Sequence, residues 1–294
     1  MAKAIILYNM GAARSASELK QFLLNMFLDK RIISGPVRYI LAPLISQTRY
    51  KKVWKKYEEI GGSRLYEITE NICKKLQNET GITTVYAMRY TQPYLSEVIH
   101  DFDEVMLLPM YPQYSTTTVE SSLDALKKTK YRGNINVIKP FYNNMIFNNL
   151  IASNVINTVS NPQDYHLIFS AHGLPQKIID KGDPYQKQLQ EQVEILKKLL
   201  PGFKSAELAY QSRFGRSRWL QPYLEDTLKK YPDEKVLIYP LSFMVDNSET
   251  DLELKIEYNA IAQEIGIKEY KVVECPNDKD ETIQFLADLV RNNW

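Results

Sequence analysis

The sequence predicts two similar α/β domains, each a parallel sheet flanked by helices, arising from an internal duplication and enclosing a cleft. Three observations lead there. Short apolar runs alternate with longer helical patterns, the rhythm of βαβ units. A set of strand-end motifs occurs twice in the same order. The 294 residues, 44% hydrophobic and 24% charged, fit one large or two medium globular domains.

The strand candidates, in order, are 4–8, 83–88, 104–109, 136–139, 166–170, 205–210, 236–239 and 270–274. Runs such as Val105-Met106-Leu107-Leu108 and Val236-Leu237-Ile238 lack polar alternation, as strands covered on both faces do. Helical stretches separate them. That over 185–200 opens with Asp183 as N-cap and Pro184 at the first helical position.

Three pairs of segments carry the duplication. Ile5-Ile6-Leu7-Tyr8-Asn9-Met10-Gly11 matches Leu167-Ile168-Phe169-Ser170-Ala171-His172-Gly173. Tyr86-Ala87-Met88-Arg89-Tyr90 with Gln92-Pro93-Tyr94-Leu95 matches Tyr210-Gln211-Ser212-Arg213-Phe214 with Gln221-Pro222-Tyr223-Leu224. Leu107-Leu108-Pro109-Met110 resembles Leu237-Ile238-Tyr239-Pro240-Leu241. The first pair is offset by 162 residues and the others by 129 and 131, so the first half carries roughly 30 extra residues. The expected division is a first domain over 1–145, with an insertion at about 28–60, and a second over 146–294, whose last helix packs back on the first.

That insertion is charged on one side of neutrality. Residues 30–57 hold eight basic and no acidic residues, within a chain of net charge +2, so the other residues carry −6 between them. Apolar side chains such as Tyr39, Ile40, Leu44 and Trp54 are interleaved. The pattern suits a solvated basic face, or a lip meeting nucleic acid, anionic lipid or a carboxylate-bearing ligand. Two cysteines, Cys73 and Cys275, exclude a disulfide scaffold, a four-cysteine zinc site and a four-thiolate iron–sulfur cluster built by one chain. No apolar run approaches the ~20 residues that span a bilayer, and the N-terminus lacks a signal-peptide pattern, so the expected location is cytoplasmic. Neither G-x-G-x-x-G after the first strand nor G-x-x-x-x-G-K-[ST] occurs, which disfavours nucleotide chemistry.

Ligands of parallel sheets bind beyond the carboxyl ends of the strands. Met10, Arg89, 111–118, His172, Arg213 and 243–249 all lie there. Of the three histidines, His100 reads as a surface residue and His166 as structural, which leaves His172 as the candidate base or metal ligand. Glu249, Glu253 and Glu257 recur at i, i+4 and i+8, one face of a helix. Ser248 and Asp251 read as a capping box at its start, and the dipole favours Glu249 there; neither accounts for Glu257. A file of carboxylates leading to a histidine can instead conduct protons or a hard divalent cation.

From Leu167 to Pro175 and again over Lys181-Gly182-Asp183-Pro184-Tyr185, the chain closely resembles the ferrochelatases, which insert ferrous iron into a porphyrin to make haem. The resemblance continues through Tyr111-Pro112-Gln113-Tyr114-Ser115, the segment from Tyr210 to Tyr223, and 243–249 with Thr250, Glu253 and Glu257, and spans nearly the whole chain. Three departures stand out. Gly61-Gly62-Ser63-Arg64 replaces a Gly-Gly-Ser-Pro turn, Asn247 stands where many members have histidine or cysteine, and the chain ends without the cysteine-bearing extension of cluster-containing relatives.

The resemblance implies two Rossmann-like domains around a cleft that holds the macrocycle bent. It implies His172 as acceptor of a pyrrole proton and iron ligand, Glu249 as second base or ligand, and Glu253 and Glu257 as a path. Arg49, Tyr57, Ser63, Arg89 and Tyr90 become candidates for the propionates, and Met10, Tyr111, Trp219 and Phe243 for the ring. Fe2+ is a substrate, with no tightly bound cofactor and no iron–sulfur cluster expected. The expected partners are porphyrin and iron, with no nucleic acid, peripheral contact with anionic membrane, and a monomeric state. In the family, the residue before the first-strand glycine tends to be tyrosine in coproporphyrin enzymes and apolar in protoporphyrin enzymes. Met10 therefore implies protoporphyrin. The alternatives are chelation on coproporphyrin or another tetrapyrrole, and a bilobal tetrapyrrole-binding protein without turnover.

Overall fold

The protein is described by a computed structural model covering residues 2–215 and 217–294. Its first half runs β1 (Lys3–Asn9), α1 (Ala16–Leu28), α2 (Arg38–Glu59), α3 (Leu65–Thr80), β2 (Thr83–Met88), α4 (Leu95–Val98), β3 (Glu104–Pro109), a π-helical turn (Thr116–Glu120), α5 (Ser121–Thr129) and β4 (Asn134–Val137). Helix α6 (Met145–Thr158) leads into the second half. There follow β5 (Tyr165–His172), α7 (Gln176–Ile179), α8 (Tyr185–Leu199), β6 (Ser205–Gln211), α9 (Leu224–Leu228), β7 (Lys235–Pro240), a π-helix (Glu249–Glu257), α10 (Tyr258–Ile265), β8 (Glu269–Val272) and α11 (Asp280–Arg291).

The two four-stranded sheets are wholly parallel and share one order, β2-β1-β3-β4 and β6-β5-β7-β8. Their local hydrogen bonds repeat as well. Met88 N–H donates to the Pro93 carbonyl at 2.7 Å and Tyr210 N–H to that of Pro222 at 2.9 Å. Met110 N–H reaches Tyr8 and Leu241 N–H reaches Ser170, both at 2.8 Å. The central strands β1, β3, β5 and β7 are almost wholly buried, which explains their unbroken apolar runs. β4 and β8 are edge strands, only half-buried at best, and each lies one to two residues earlier than its apolar pattern suggests. A half-covered strand imposes a weaker hydrophobic signal.

One buried cluster joins Ile5 and Leu7 of β1 to Leu167 and Phe169 of β5 through Phe147 of α6 and Phe285 of α11, so the halves share a core. The Phe147 and Phe285 rings stack at 5.3 Å. α11 also meets α3, where Arg291 pairs with Glu79 and Lys75 with Asp280, each at 2.8 Å. The extra residues of the first half are mostly α2 and its approach. α2 packs against α1 through Tyr57 and Trp54 onto Leu19 and Leu23. Tyr39, Ile40 and Leu44 stay exposed. Among the described residues no helix is long and apolar enough to cross a membrane.

Candidate active site

β5 delivers His172 to the carboxyl edge of the second sheet. Its backbone is seated by two hydroxyls: its N–H donates to Ser242 Oγ at 3.1 Å, and Tyr185 Oη donates to its carbonyl at 3.1 Å. The chain then turns through Gly173, where a Cβ would stand 2.8 Å from the Gln211 carbonyl and 3.4 Å from the Trp219 ring. Only glycine fits that approach.

His172 Nδ1 lies 2.8 Å from Glu249 Oε2, and each side chain is about one-third exposed (35% and 33%). Burial opposes protonation of the imidazole, but the Glu249 carboxylate, with Glu253 behind it, outweighs burial and raises the His172 pKa. Burial likewise opposes ionisation of Glu249, and the His172 field and bond, with donors from Ser212 and Gln211, bring its pKa below the usual value. Glu253 goes the other way. Burial and the Glu249 charge raise it to about 7, although Ser212 N–H (2.8 Å) and Oγ (2.5 Å) both donate to it. Ser212 Oγ also lies 3.3 Å from Glu249 Oε2, so one hydroxyl bridges the two carboxylates. The site thus holds adjacent groups with separated proton affinities, as acid–base sites do.

The three glutamates sit on a π-helix rather than an α-helix. Both helices put i and i+4 on nearly one face, so the spacing is realised with a different winding. Glu257 ends the file: its carboxylate is held by Lys56 of α2, and among the described residues it has no hydrogen bond to Glu253. The expected capping box does not form. Ser248 has helical backbone and its hydroxyl instead accepts from Tyr57 Oη at 2.7 Å, while Asp251 pairs with Arg64 and Lys255. Asn247 Oδ1 receives the Glu249 N–H at 2.8 Å, so the asparagine that departs from the resembling pattern turns the backbone into the helix.

The first-half candidates divide into two groups. Met10 is half-buried beyond β1, ahead of Gly11, where a Cβ would meet Thr91 Oγ1 at 2.1 Å. Arg49 is exposed on α2, its guanidinium 4.1 Å from the Phe214 ring of the second half. Ser63 is half-buried, and its hydroxyl accepts a long 3.4 Å contact from Leu65 N–H. Trp219 stands against the His172 turn, bridged to Pro175, and Phe243 is half-buried after β7. Arg89 and Tyr90 have a different partner from the expected propionate. Arg89 Nη2 binds Asp29 Oδ2 at 2.7 Å, Tyr90 Oη donates to the same oxygen at 3.0 Å, and Ser121 Oγ completes the set. Asp29 is buried, which opposes its ionisation, and these donors hold its pKa below the usual value. Tyr57 is buried with its hydroxyl given to Ser248, and Tyr111 is buried with no partner for its hydroxyl among the described residues.

Ser212 and Gln211, not singled out by sequence, complete the acid–base cluster. Their signal was present: Gln211 ends β6 and Ser212 follows it, within a duplicated segment. Ser212 adopts a left-handed conformation, φ +64°, which turns its N–H and hydroxyl together toward Glu253. Among the described residues no group of three or more His, Cys, Asp or Glu is arranged to hold a metal ion, and His172 with Glu249 offers a two-donor set.

A family model described as Ferrochelatase matches residues 2–294. A ferrochelatase of Campylobacter concisus is 42% identical, over 99% of this chain and 98% of its own length. One of Nitratiruptor sp. is 42% identical over 98% of each chain. Among solved structures, SirB from Bacillus subtilis with Fe3+ matches with a TM-score of 0.61 at 8% identity, over 99% of this chain and 95% of that one. CbiX, the terminal enzyme of sirohaem biosynthesis in denitrifying bacteria, matches with a TM-score of 0.55 at 10% identity, over 99% of both. At such identities these structures speak for the fold alone.

Proposed function

The chain belongs to the ferrochelatase family, an enzyme family that inserts ferrous iron into a porphyrin, and from that premise we propose protoporphyrin as the preferred ring and His172 with Glu249 as its proton acceptors. As Fe2+ enters the macrocycle, two pyrrole N–H bonds break and two protons leave. The observation that carries this reading is the 2.8 Å His172–Glu249 contact at the carboxyl edge of a central strand. With Nδ1 held by Glu249, Nε2 is the ring nitrogen left to take a proton. Imidazole nitrogen and carboxylate oxygen both suit Fe2+ as transient ligands.

Glu253, raised to about 7, is poised to receive a proton near neutral pH, and the Ser212 hydroxyl lies between it and Glu249. Glu257, held by Lys56, would stand at the outer end of that route. On the substrate side, Arg49 and Ser63 are the propionate partners we favour, because Arg89 already serves Asp29. Met10, Trp219 and Phe243 would meet the ring. The apolar Met10 suits a vinyl-bearing edge better than a propionate-bearing one. The division at about residue 145, a monomeric state and docking of the lip on anionic membrane complete the proposal. The last is supported by exposed Tyr39, Ile40 and Leu44 beside Arg38, and co-sedimentation with anionic vesicles tests it.

The decisive experiment is a single turnover of purified protein with porphyrin and anaerobic Fe2+, followed by the change from free-base to metalloporphyrin absorption. Protoporphyrin should be metallated within seconds. Binding without metallation of any tetrapyrrole would instead indicate a carrier, and faster metallation of coproporphyrin would reverse the substrate choice.

A further inference from the structure

Arg64 lies in the first half, after the Gly61-Gly62 turn (φ +69° and +94°) and at the start of α3. Its guanidinium reaches the second half. Nε and Nη2 form a fork with Asp251 Oδ2 and Oδ1 at 3.1 and 2.9 Å, and Nη2 stands 3.6 Å from Oδ2 of the wholly buried Asp246. These two aspartates flank Glu249, three residues before it and two after.

The intervening backbone has little freedom of its own. Asn247 accepts the Glu249 N–H on its side chain and the Asp251 N–H on its carbonyl, at 2.8 and 2.9 Å, and its own N–H goes to Thr250 Oγ1 at 2.9 Å. At its Asp246 end the segment is held within the second half, where Asp246 N–H donates to Asn277 Oδ1 at 2.8 Å and Asn277 Nδ2 to Asp246 Oδ2 at 2.7 Å. Arg64, the Tyr57–Ser248 bond at 2.7 Å and, at the far end of the π-helix, the Lys56–Glu257 ion pair tie it to the first half. A forked guanidinium–carboxylate pair fixes direction as well as distance, which a lysine cannot do.

We propose that Arg64 is a positioning residue: its cation clamps the segment on both sides of Glu249 and sets that carboxylate's place relative to the turn bearing Ser63. The proposal rests on the reading of Glu249 as a proton acceptor. Arg64 does not touch the reacting atoms. It fixes the distance between the element expected to hold the porphyrin and the base expected to deprotonate it, a distance to which rates are steeply sensitive.

The test measures kcat and porphyrin KM of the full chain in a set of variants, with thermal midpoints alongside. Arg64→Ala should lower kcat about tenfold, with KM within about twofold, and Arg64→Lys should recover only part of the loss. Asp251→Asn should show a similar fall, and the double variant should be no worse than either single one, because both remove the same contact. Lys75→Ala, which breaks the ion pair between α3 and α11, should keep kcat whatever its midpoint. An Arg64→Ala rate within twofold of wild type, losses that multiply in the double variant, or an equal kcat loss in Lys75→Ala would each overturn the clamp. Glu249→Gln separates the two readings. Full activity there would withdraw Glu249 as a base and the clamp with it, whereas a dead Glu249→Gln beside a fully active Arg64→Ala would remove the clamp alone.

Discussion

The two sheets share strand order, direction and the hydrogen bonds that leave their central strands, yet their carboxyl edges carry different chemistry. Beyond β1 stands Met10; at the matching place in β5 stands His172. Beyond β2, Arg89 turns inward to a buried aspartate from the end of α1, and the charge is consumed internally. Beyond β6, Ser212 turns its donors toward two carboxylates, Glu249 about one-third exposed and Glu253 half-buried. Duplication supplied one scaffold with two sets of strand ends. One set keeps its charges paired and shapes a surface, and the other keeps a proton-active cluster near solvent. The asymmetry makes specific claims about which half controls stability and which controls rate.

The largest expected effect is at the second edge. His172→Ala should lower turnover at least about 100-fold, the low end for loss of a general base, while porphyrin absorption still shifts on binding. Glu249→Gln should be nearly as damaging, and His100→Ala, on an exposed turn, should leave the rate unchanged. Stopped-flow absorption at saturating iron measures all three. Near-normal turnover in His172→Ala would remove the functional contrast between the halves.

The first edge should fail differently. Asp29→Ala strips the Arg89 cation of its only ion pair among the described residues, in a place where that side chain is 16% exposed. Leaving one partner of a buried pair costs about 3 kcal/mol. Urea denaturation should show that loss, with kcat of the folded protein at low temperature changed by no more than a few-fold. If Asp29→Ala keeps its stability and loses its rate, the first edge is chemical after all and the contrast is mistaken.

Much of this was legible in the residues. The eight strands announced themselves because buried parallel strands need continuous apolar runs, and only the half-covered edges β4 and β8 slipped. His172 drew notice as a polar residue at the end of an apolar strand and Glu249 through its i, i+4, i+8 spacing with Glu253 and Glu257, and the fold brings the two within 2.8 Å. What failed to show depended on distance in sequence. Asp29 is 60 residues from Arg89 and nothing local marks their pairing, so Arg89 and Tyr90 read as free donors. The π-helix was hidden because spacing at i, i+4 and i+8 fits either winding, and Ser248 read as a cap because its partner, Tyr57, lies 191 residues away.

Glu253 offers a pH test of the second edge. Its pKa is raised to about 7 when folded, against 4.5 as its ordinary value, so between those values the folded protein binds more protons than the unfolded chain. Stability from this group is therefore fully present below about pH 4.5, declines as pH rises, and is lost above about pH 7. Glu253→Gln cannot ionise and should melt above wild type at pH 8, by about 2 °C per kcal/mol recovered. The gap should close toward pH 5, and turnover should fall. A gap that does not vary with pH would mean that Glu253 carries no such strain.

The smallest expected effect concerns the first edge and the ring. Wild-type kcat/KM should favour protoporphyrin over coproporphyrin, because an apolar Met10 offers no partner to a propionate and an unpaired buried charge is costly. Met10→Tyr places a phenolic donor at that position, on a larger and more rigid side chain. One added hydrogen bond to a carboxylate contributes about 1.5 kcal/mol net, a factor of roughly 10 in relative preference. The ratio of kcat/KM values should move toward coproporphyrin by that factor, while the pH profile, set by the second edge, stays in place. The basic lip offers a competing route, because Arg49 is exposed on α2 and can serve an extra carboxylate wherever the ring lies. Arg49→Gln in both backgrounds separates the two. If preference follows Met10, the arginine change weakens both substrates alike; if it follows the lip, Arg49→Gln penalises coproporphyrin alone and Met10→Tyr has no effect on the ratio.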